Sequence, residues 1–447
     1  MENNNTHKNG TFSSAMGFII ACVGSAVGLG NIWMFPYRIG QYGGAAFLIP
    51  YLLFIFLFGW VGLSAEFAIG RRAKTGTIGS YEYCYSDGGK REGARKKFGA
   101  VIGWIPLFGS LGIAIGYAII LGWVLRFLGA SVTGSIMSTD ASQMFSGITG
   151  SFGSLGWHIA IVALVTIVLF TGVTSRIEKV SKVLMPLFYV LFLILAVYVC
   201  TLPGASAGYN FLFVPDWSKL LEANTWVMAM GQAFFSLSIT GSGMIVYGAY
   251  LGKDVDIPGA SLKTAVFDTM AALLASLVIM PAVFAFGIDA KSGPPLLFLT
   301  LPKVFSQMPL GQMVSIVFFV SVLFAGITSL INMFEAVIES TQHKLRLDRK
   351  IAVLICGALT LLVGIFLEPE ASVGNWMDFI TIIVVPFGAV LGAISVYYVL
   401  GYNKIKEELE IGRDKPVSKW FGITAKYIYV PLTVVVFILG LVYHGIG

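Results

Sequence analysis

The chain has 447 residues, of which 57% are hydrophobic and 12% are charged, and its mean hydropathy is +0.83. Soluble globular domains carry about 25% charged residues, so this composition excludes a soluble protein and indicates an integral membrane protein. The net charge of +6 does not predict a nucleic-acid partner, because no basic run is interleaved with aromatic residues. It indicates contact with the anionic head groups of a lipid bilayer.

Windows of about 20 apolar residues predict eleven membrane-spanning helices, which we number as spans in chain order. The spans cover residues 13–40, 44–70, 98–128, 157–174, 178–202, 225–251, 260–287, 312–342, 350–367, 374–402 and 421–445. They fill the chain, so we predict one all-α membrane domain over residues 1–447 with no soluble domain beside it. The first span is too long and too interrupted for a cleavable signal peptide.

Basic residues predict the orientation of the chain in the membrane. Lys and Arg cluster in the loops after the second, eighth and tenth spans, whereas residues 130–157, on the opposite side, contain neither. Because cytoplasmic loops are enriched in Lys and Arg, we expect a multi-pass protein of the cell inner (plasma) membrane with a cytoplasmic N-terminus. Eleven spans then leave the C-terminus outside the cell.

The first span is interrupted near its middle by residues that weaken a helix. Residues 24–36 read Gly-Ser-Ala-Val-Gly-Leu-Gly-Asn-Ile-Trp-Met-Phe-Pro, so three glycines precede Asn31 and Pro36. Inside a bilayer a broken helix is tolerated only where the freed backbone groups face protein, an ion or a polar ligand. A glycine-lined helix contact is the alternative interpretation, but a second break far along the chain favours a binding site at the membrane midplane.

The sixth span contains that second break. Hydroxyl residues stand at every second position beside two glycines: Ser236, Ser238, Thr240 and Ser242, with Gly241 and Gly243. The alternation predicts extended backbone lined with hydroxyls, although such hydroxyls also bond to carbonyls one turn earlier in ordinary helices. Broken spans five helices apart predict an inverted repeat of two five-helix halves, residues 13–202 and 225–402, with 421–445 as an additional helix.

Polar side chains in other spans have the chemistry of a site for a hard cation. Asp268 lies in the seventh span, where Lys263 is the nearest basic residue, and a lone carboxylate in a membrane is costly unless it meets a cation or shares a proton. Thr328 and Ser329 of the eighth span stand beside small residues, a pattern that is also typical of helix packing. Oxygen donors without thiolate or imidazole suit Na⁺. We find no phosphate-binding glycine loop and no nucleophile paired with a base, so we do not expect an enzyme.

Taken in order, these segments resemble the neurotransmitter:sodium symporter family, in particular its prokaryotic members with the LeuT fold. The resemblance covers essentially the whole chain. The segments that carry it are residues 24–36, 43–51, 117–123, 185–186, 214–217, 231–250 and 325–329. The fold it implies has eleven transmembrane helices in a 5+5 inverted repeat, with the first and sixth helices broken.

The resemblance also implies two sodium sites and one substrate site. The first sodium site would use Ala26, Asn31, Ser236 and Asp268, and the second would use Gly24, Val27, Ala325, Thr328 and Ser329. The substrate carboxylate would meet Leu29, Gly30 and Tyr117, and the rest of the pocket would comprise Ser25, Ala26, Gly28, Ile113, Phe235, Ser236, Ser238, Gly241, Ser329 and Met333. These roles agree with electrostatics, because a helix N-terminus favours an anion and unwound carbonyls favour a cation.

The chain departs from the family at both gates. Where the family has an extracellular-gate Arg this chain has Met34, although the expected partner Asp378 is present and Arg38 lies one helical turn on. On the cytoplasmic side Phe12 stands in place of a Trp, and His343 stands in place of the opposing Asp. We therefore treat Arg38, Asp378, Phe12 and His343 as gate candidates and expect closure without the family's usual ion pairs.

The function that the resemblance implies is Na⁺-driven symport of a neutral amino acid by alternating access, with two bound sodium ions. A transporter of another small zwitterion or organic acid on the same fold is one alternative. A ligand-gated channel or membrane receptor is another, although the polar groups cluster at the midplane rather than along a pore. We expect a monomer or a weak dimer in the lipid bilayer.

Three positions refine this expectation. Asp268 places a carboxylate where animal members use a bound chloride ion, so we expect no chloride requirement. Gly28 stands where amine transporters of the family carry Asp, so the substrate must bring its own carboxylate. Gly241 replaces a bulky Phe or Met of most relatives, which predicts an open pocket wall and a medium to large substrate side chain.

Overall fold

The computed structural model describes residues 10–90, 93–170, 174–287 and 294–445. Within these residues the chain is helical and contains no β-strand. Eight of the described helices are long and apolar enough to cross a membrane, or nine when the bent pair in the first span counts as one. The other two predicted spans are a 16-residue apolar helix and a pair of short helices. The all-α membrane fold is therefore confirmed, and eleven spans are consistent with it.

The spans correspond to helices with the following bounds. In chain order they are Ala15–Ala26 with Gly30–Gln41, Ala45–Ala73, Ala94–Thr133, Leu155–Phe170, Thr174–Cys200, Ala223–Ser236 with Gly243–Ala249, Ile257–Ala285, Gly311–Leu345, Arg349–Ile365, Glu370–Leu409 and Lys419–Val442. Shorter helices between them are Thr77–Tyr85, Ala141–Ile148, Ala205–Phe213 and Thr300–Gln307, with 3-10 turns at Ser135–Met137, Trp217–Leu221 and Pro294–Leu296. Five stretches are π-helical: Gly30–Met34, Phe58–Leu63, Phe379–Val384, Ser395–Gly401 and Thr424–Tyr429.

The two helices of the first span meet at an angle of 58°. The inner helix ends at Ala26, and Val27 already has extended backbone, with φ −69° and ψ 112°. The outer helix begins with the π-helical stretch at Gly30, and Pro36 has no N–H to donate to the preceding turn. The break thus lies among the glycines that predict it, and the last carbonyls of the inner helix are left without helical partners.

The sixth span is interrupted between Ser236 and Gly243. Ser238 has a φ of 53° and Gly241 a φ of 73°, both in the left-handed region that glycine adopts most easily. The connection is therefore a turn with two left-handed residues, and not the continuous extended stretch that the alternating hydroxyls predict. A left-handed residue changes the direction in which the neighbouring side chains point. The two left-handed residues therefore determine which side chains of this break point towards the centre of the bundle.

Both breaks are buried at the centre of the bundle, against the third and eighth spans. These two spans pack along each other, and a Cβ on Gly326 would lie 2.2 Å from Leu121 Cδ2. Small residues permit such close approach of membrane helices. Large apolar side chains such as Leu193 and Leu362 are exposed on the outer fifth and ninth spans, as expected for surfaces that face lipid.

Candidate substrate and sodium sites

The side chains predicted for the first sodium site lie together between the first, sixth and seventh spans. The Asn31 amide donates to Asp268 Oδ1 at 2.8 Å and to Ser236 Oγ at 3.1 Å. Ser236 Oγ donates in turn to Asp268 Oδ2 at 2.6 Å. All three are buried, and in the described chain no basic side chain pairs with Asp268. A buried carboxylate held only by neutral dipoles gains stability when a cation joins it, so these residues fit a Na⁺ ion.

The oxygens predicted for the second sodium site converge on one hydroxyl. Ser329 Oγ lies 3.2 Å from the Gly24 carbonyl, 3.0 Å from the Val27 carbonyl and 3.2 Å from the Ala325 carbonyl. Thr328 Oγ1 donates to the same Ala325 carbonyl at 2.9 Å. This set contains only uncharged oxygens, contributed by the break in the first span and by one turn of the eighth span. Such a set suits a hard monovalent cation.

Backbone amides at the first break face a tyrosine hydroxyl. The Leu29 N–H donates to Tyr117 Oη at 3.0 Å, and the Gly28 N–H donates to Asn31 Oδ1 at 3.0 Å. A Cβ on Gly28 would lie 2.6 Å from Tyr117 Oη and 3.1 Å from Ser329 Oγ, so only glycine allows this approach. Amides at the start of a helix, beside a hydroxyl donor, form a site for an anionic group such as a carboxylate.

A cavity of about 460 Å³ opens beside these groups. Every predicted substrate residue except Gly241 lines it: Ser25, Ala26, Gly28, Leu29, Gly30, Ile113, Tyr117, Phe235, Ser236, Ser238, Ser329 and Met333. Asn31 lines it as well, so the first cation cluster adjoins the cavity. A carboxylate bound in the cavity can therefore reach a cation in that cluster.

Gly241 does not form the pocket wall that the sequence predicts. A Cβ there would lie 2.7 Å from Tyr81 Oη and 2.8 Å from the Gly388 carbonyl, on the side away from the cavity. Its N–H donates to Glu66 Oε1 at 2.8 Å, and its carbonyl accepts from Tyr81 Oη at 3.1 Å. Thr240 lines the cavity instead. The prediction was wrong because the left-handed backbone at Gly241 turns its substituent outward.

Sequence reasoning missed several residues that build the site. Glu66 holds the break in the sixth span, and a carboxylate inside an apolar span is a signal that could have identified it. Asn332, which is 3% exposed, donates to the Gly243 carbonyl at 3.1 Å at the start of the helix after that break, and gives the same kind of signal. Ser110 and Thr240 also line the cavity. An isolated serine in a span carries no such signal.

The outer gate candidates occupy different places. Arg38 Nη1 donates to Gln232 Oε1 at 3.1 Å, which joins the outer halves of the two broken spans to each other. Asp378 is exposed and lines the outer end of the cavity together with Glu370. Met34 also lines this end, so the position of the family's gate Arg contributes a thioether and no charge. Closure by an Arg38–Asp378 pair stays a prediction.

The cytoplasmic gate candidates do not meet. Phe12 is buried, contacts the Tyr247 ring edge-to-face at a centroid distance of 5.7 Å, and donates its N–H to the Tyr250 carbonyl at 3.1 Å. His343 Nε2 lies 3.4 Å from Glu82 Oε2. Over the ranges that the structure covers, neither a hydrogen bond nor a ring contact joins Phe12 to His343. A direct Phe12–His343 gate contact is therefore absent from this conformation.

Two other charged clusters lie at this end of the bundle, which the sequence predicts to be cytoplasmic. In the first, the buried Glu335 accepts from Tyr250 Oη at 2.6 Å and from Arg349 at 2.9 and 2.7 Å. This cluster links the end of the sixth span to the start of the ninth. Because Tyr250 also holds the N–H of Phe12, the network extends to the start of the first span.

The second cluster is centred on Glu82, in the helix Thr77–Tyr85 that follows the second span. Lys344 Nζ donates to Glu82 Oε1 at 2.6 Å, and His343 approaches the other carboxylate oxygen. Burial opposes ionisation of this carboxyl, but hydrogen bonds from His343 and Lys344 outweigh it and lower the pKa of Glu82 to about 2. This end of the bundle thus contains the ion pairs Arg349–Glu335 and Lys344–Glu82, neither of which the family resemblance suggests.

Comparisons with known proteins agree with this geometry. The sequence profile of the Sodium:neurotransmitter symporter family matches residues 9–146 and 137–445. An uncharacterized sodium-dependent transporter of Bacillus subtilis is 34% identical over 96% of this chain and 97% of its own length. One of Methanocaldococcus jannaschii is 30% identical over 96% of this chain and 90% of its own. The crystal structure of MhsT in complex with L-phenylalanine matches with a TM-score of 0.83 at 32% identity, over 97% of this chain and 100% of that one.

These matches extend over the whole membrane domain, and the family consists of transporters rather than enzymes. The predicted resemblance is confirmed, as is the use of sodium that the two cation clusters suggest. The broken spans, the buried oxygens and the cavity all lie within the matched residues. This chain therefore belongs to the sodium:neurotransmitter symporter family, as a sodium-dependent transporter with the LeuT-type fold.

Proposed function

We propose that this symporter carries a neutral amino acid together with two Na⁺ ions by alternating access. The observation that carries the proposal is the cavity at the two breaks. There the Leu29 N–H and the Tyr117 hydroxyl could donate hydrogen bonds to a substrate carboxylate. Two groups of oxygens suited to a cation lie beside them, one centred on Asp268 and the other on Ser329. An anion and a cation bound side by side in a low-dielectric site stabilise each other.

The coupling between sodium and substrate follows from shared groups. Asn31 belongs to the first cation cluster and also lines the cavity, so the substrate carboxylate would complete the coordination of the first ion. The second ion would bind carbonyls of Gly24 and Val27 together with Ser329, and would hold the broken first span against the eighth. Each ligand then raises the affinity of the other by the same factor.

The substrate that fits these groups has a free carboxylate and an uncharged side chain of medium to large size. Gly28 supplies no carboxylate of its own to the first ion, so the substrate must provide one. Ile113, Phe235 and Met333 give the cavity apolar walls, and its volume lies in the range of small-molecule pockets. The L-phenylalanine complex of MhsT supports an amino acid of this kind.

We further propose that transport does not require chloride. Asp268 is buried within 2.6 Å of Ser236 and 2.8 Å of Asn31, so its negative charge lies at the first cation cluster itself. A fixed carboxylate there supplies the countercharge that a bound anion would otherwise supply. The halves 13–202 and 225–402 would form the inverted repeat, in a monomer or weak dimer whose N-terminus is cytoplasmic and whose C-terminus is extracellular.

Uptake into proteoliposomes tests the proposal. With an inward Na⁺ gradient we expect concentrative uptake of at least one labelled neutral amino acid, and with K⁺ in place of Na⁺ we expect none. Thermal-shift screening of the amino acids in NaCl and KCl would identify the substrate first, because a bound ligand raises the stability of the folded state. Uptake of an organic acid without any amino acid, or equal uptake in KCl, would contradict the proposal.

A matched amine tests the role of the carboxylate. If tryptophan is a substrate, tryptamine has the same indole side chain and lacks only the carboxylate. We expect tryptamine not to compete at concentrations where tryptophan does. Equal competition by the amine would refute the carboxylate site at Leu29 and Tyr117.

A further inference from the structure

We infer that the substrate's side chain carries a hydrogen-bonding group: a hydroxyl, a phenol or a carboxamide. Three hydroxyl side chains from three different elements line the cavity: Ser110 of the third span, Thr240 of the sixth-span break and Thr381 of the tenth span. The inference rests on the proposed function, amino-acid symport, and narrows it to one chemical class of neutral amino acid.

Ser110 provides the strongest support for this inference. It is 3% exposed and lines the cavity, and its hydroxyl makes no hydrogen bond to any residue that the structure describes. Ser131 of the same helix instead bonds to the Phe127 carbonyl one turn earlier, at 2.9 Å. The Ser110 hydroxyl is not among the fully enclosed unpaired atoms of the described residues, so it is open to the cavity that it lines. A ligand that fills the cavity displaces water from this hydroxyl, which then costs free energy unless the ligand bonds to it.

The third and tenth spans are in close contact beside Ser110. A Cβ on Gly112 would lie 2.4 Å from Ile380 Cδ1, and Thr381 follows Ile380 directly. Thr381 lies within the π-helical stretch Phe379–Val384, and within the described ranges its hydroxyl, too, has no protein partner. Ser110 and Thr381 thus flank one helix–helix contact and line the same cavity.

Thr240 reaches this region from the sixth-span break. A Cβ on Gly388 would lie 2.9 Å from Pro106 Cβ and 3.3 Å from the Thr240 carbonyl, and Pro106 is one turn before Ser110. Thr240 lines the cavity and is half-buried. Its hydroxyl also has no hydrogen-bond partner in the part of the chain that the structure covers.

The consequence for specificity is a preference between molecules of nearly equal shape. A purely apolar pocket discriminates poorly against an added hydroxyl, whereas a pocket whose hydroxyls lose water when the ligand binds disfavours an analogue that cannot bond to them. Ile113 and Met333 still provide apolar contact in the same cavity. An amphipathic side chain, apolar along its length with a polar end, matches both features.

Binding of isosteric pairs to the purified, sodium-loaded full chain tests this inference. The pairs are threonine and valine, tyrosine and phenylalanine, and asparagine and leucine, measured by scintillation proximity or calorimetry. In at least one pair we expect the polar member to bind about three- to tenfold more tightly, the range expected for one neutral hydrogen bond. Equal affinity within all three pairs, or preference for the hydrocarbon member throughout, would overturn the inference.

Variants assign the preference to the named hydroxyls. Ser110→Ala and Thr240→Val should each reduce the polar-to-apolar affinity ratio towards one, because the polar member loses more affinity than the hydrocarbon member. Sodium-dependent binding of the hydrocarbon member shows that the variant is folded. Ser131→Ala is the matched control, since Ser131 is fully buried in the same helix, bonds to its own helix and does not line the cavity.

The outcomes separate this inference from the proposed function. If no amino acid binds in the presence of Na⁺, both fail. If amino acids bind with sodium dependence but without a polar preference, only this inference fails. It also fails if the preference exists and persists unchanged in both variants, because the hydroxyls would then be satisfied by solvent.

Discussion

Asp268 is the charged side chain of the first cation cluster, whose other side chains, Asn31 and Ser236, are neutral. Its two oxygens bind Asn31 and Ser236, and both partners are neutral. In the proposed first sodium site, the carboxylate is therefore the group that would compensate a bound Na⁺ ion. Removing its charge while keeping its shape isolates that contribution.

We expect Asp268→Asn to lower sodium affinity by at least about 30-fold, because loss of one partner of a buried charge pair costs about 2–5 kcal/mol. Uptake by the variant should increase when chloride replaces gluconate, whereas uptake by the wild type should not change. Sodium titration of substrate binding and anion-replacement uptake measure the two effects. Ser276→Ala is the control, since Ser276 is buried in the same helix and bonds to its Ala272 carbonyl. Loss of most wild-type uptake in gluconate would refute chloride independence.

Gly28 lies between the predicted anion site and the predicted second sodium site, since Tyr117 Oη and Ser329 Oγ would both lie within 3.1 Å of a Cβ there. We expect Gly28→Ala to weaken substrate affinity by about tenfold or more, because a Cβ would lie 2.6 Å from Tyr117 Oη and overpacking costs about 1–3 kcal/mol. Equilibrium binding of the labelled substrate measures this loss. Gly147→Ala is the control, since nothing lies within 4 Å of a Cβ there. Wild-type affinity in Gly28→Ala would contradict the close approach of Tyr117 to Gly28.

At the scale of single elements, the break in the sixth span is stabilised by a hydrogen bond to a side chain of the second span. Glu66 Oε1 accepts the Gly241 N–H at 2.8 Å, while Glu66 Oε2 is buried and has no partner among the described residues. The break is therefore stabilised from outside by a carboxylate that lies far away in sequence. A glutamine keeps the acceptor oxygen and an alanine removes it.

We expect Glu66→Ala to lower the free energy of unfolding by about 1–3 kcal/mol, because the buried Gly241 N–H loses its acceptor. Glu66→Gln should lose less, since its carbonyl oxygen can still accept that bond. Thermal unfolding in detergent, with the substrate absent, compares the two variants with the wild type. Equal stability of Glu66→Ala and Glu66→Gln would show that the hydrogen bond to Gly241 does not hold the break.

At the scale of the whole molecule, the Glu82 cluster connects the helix Thr77–Tyr85, which follows the second span, with the end of the eighth span. The pKa of Glu82 is lowered to about 2, below its value of about 4.3 in an unfolded chain. A carboxyl with a lowered pKa in the folded state stabilises the fold above its unfolded pKa, and this stabilisation disappears as the pH falls towards about 2. The cluster thus contributes its full stability above about pH 5 and loses this contribution in acid.

We expect the wild type to lose more thermal stability than Glu82→Gln between about pH 5 and pH 2, because only the wild type has this carboxylate to protonate. The two proteins should differ most at neutral pH and converge at the acid end. Glu407→Gln is a suitable control, since Glu407 forms an exposed pair with Arg72, and such pairs contribute little. Parallel stability curves for wild type and Glu82→Gln would contradict the assignment.

Local features of the sequence were sufficient to predict the membrane spans and the two breaks, whereas the LeuT-type fold was implied by the family resemblance. The apolar windows predict the spans, and the glycines at residues 24–30 and 241–243 predict the two breaks, because bilayer insertion and helix propensity depend on short segments. The candidate sodium residues came from position in a family pattern. Asn31 with Asp268 and Ser329 with Val27 lie within hydrogen-bond distance, as those assignments require.

Tertiary structure alone decided which side chains face the cavity. The sign of φ at Gly241 turns its Cβ towards Tyr81, so Gly241→Phe would test folding rather than pocket size. Thr240 and Ser110 line the cavity only because the sixth-span break meets the third and tenth spans at one place. Neighbouring residues in sequence can point in opposite directions once a left-handed residue intervenes. The backbone conformation at the break in the sixth span depends on contacts with distant spans, such as the hydrogen bond from Gly241 to Glu66. The sequence around the break does not reveal those contacts.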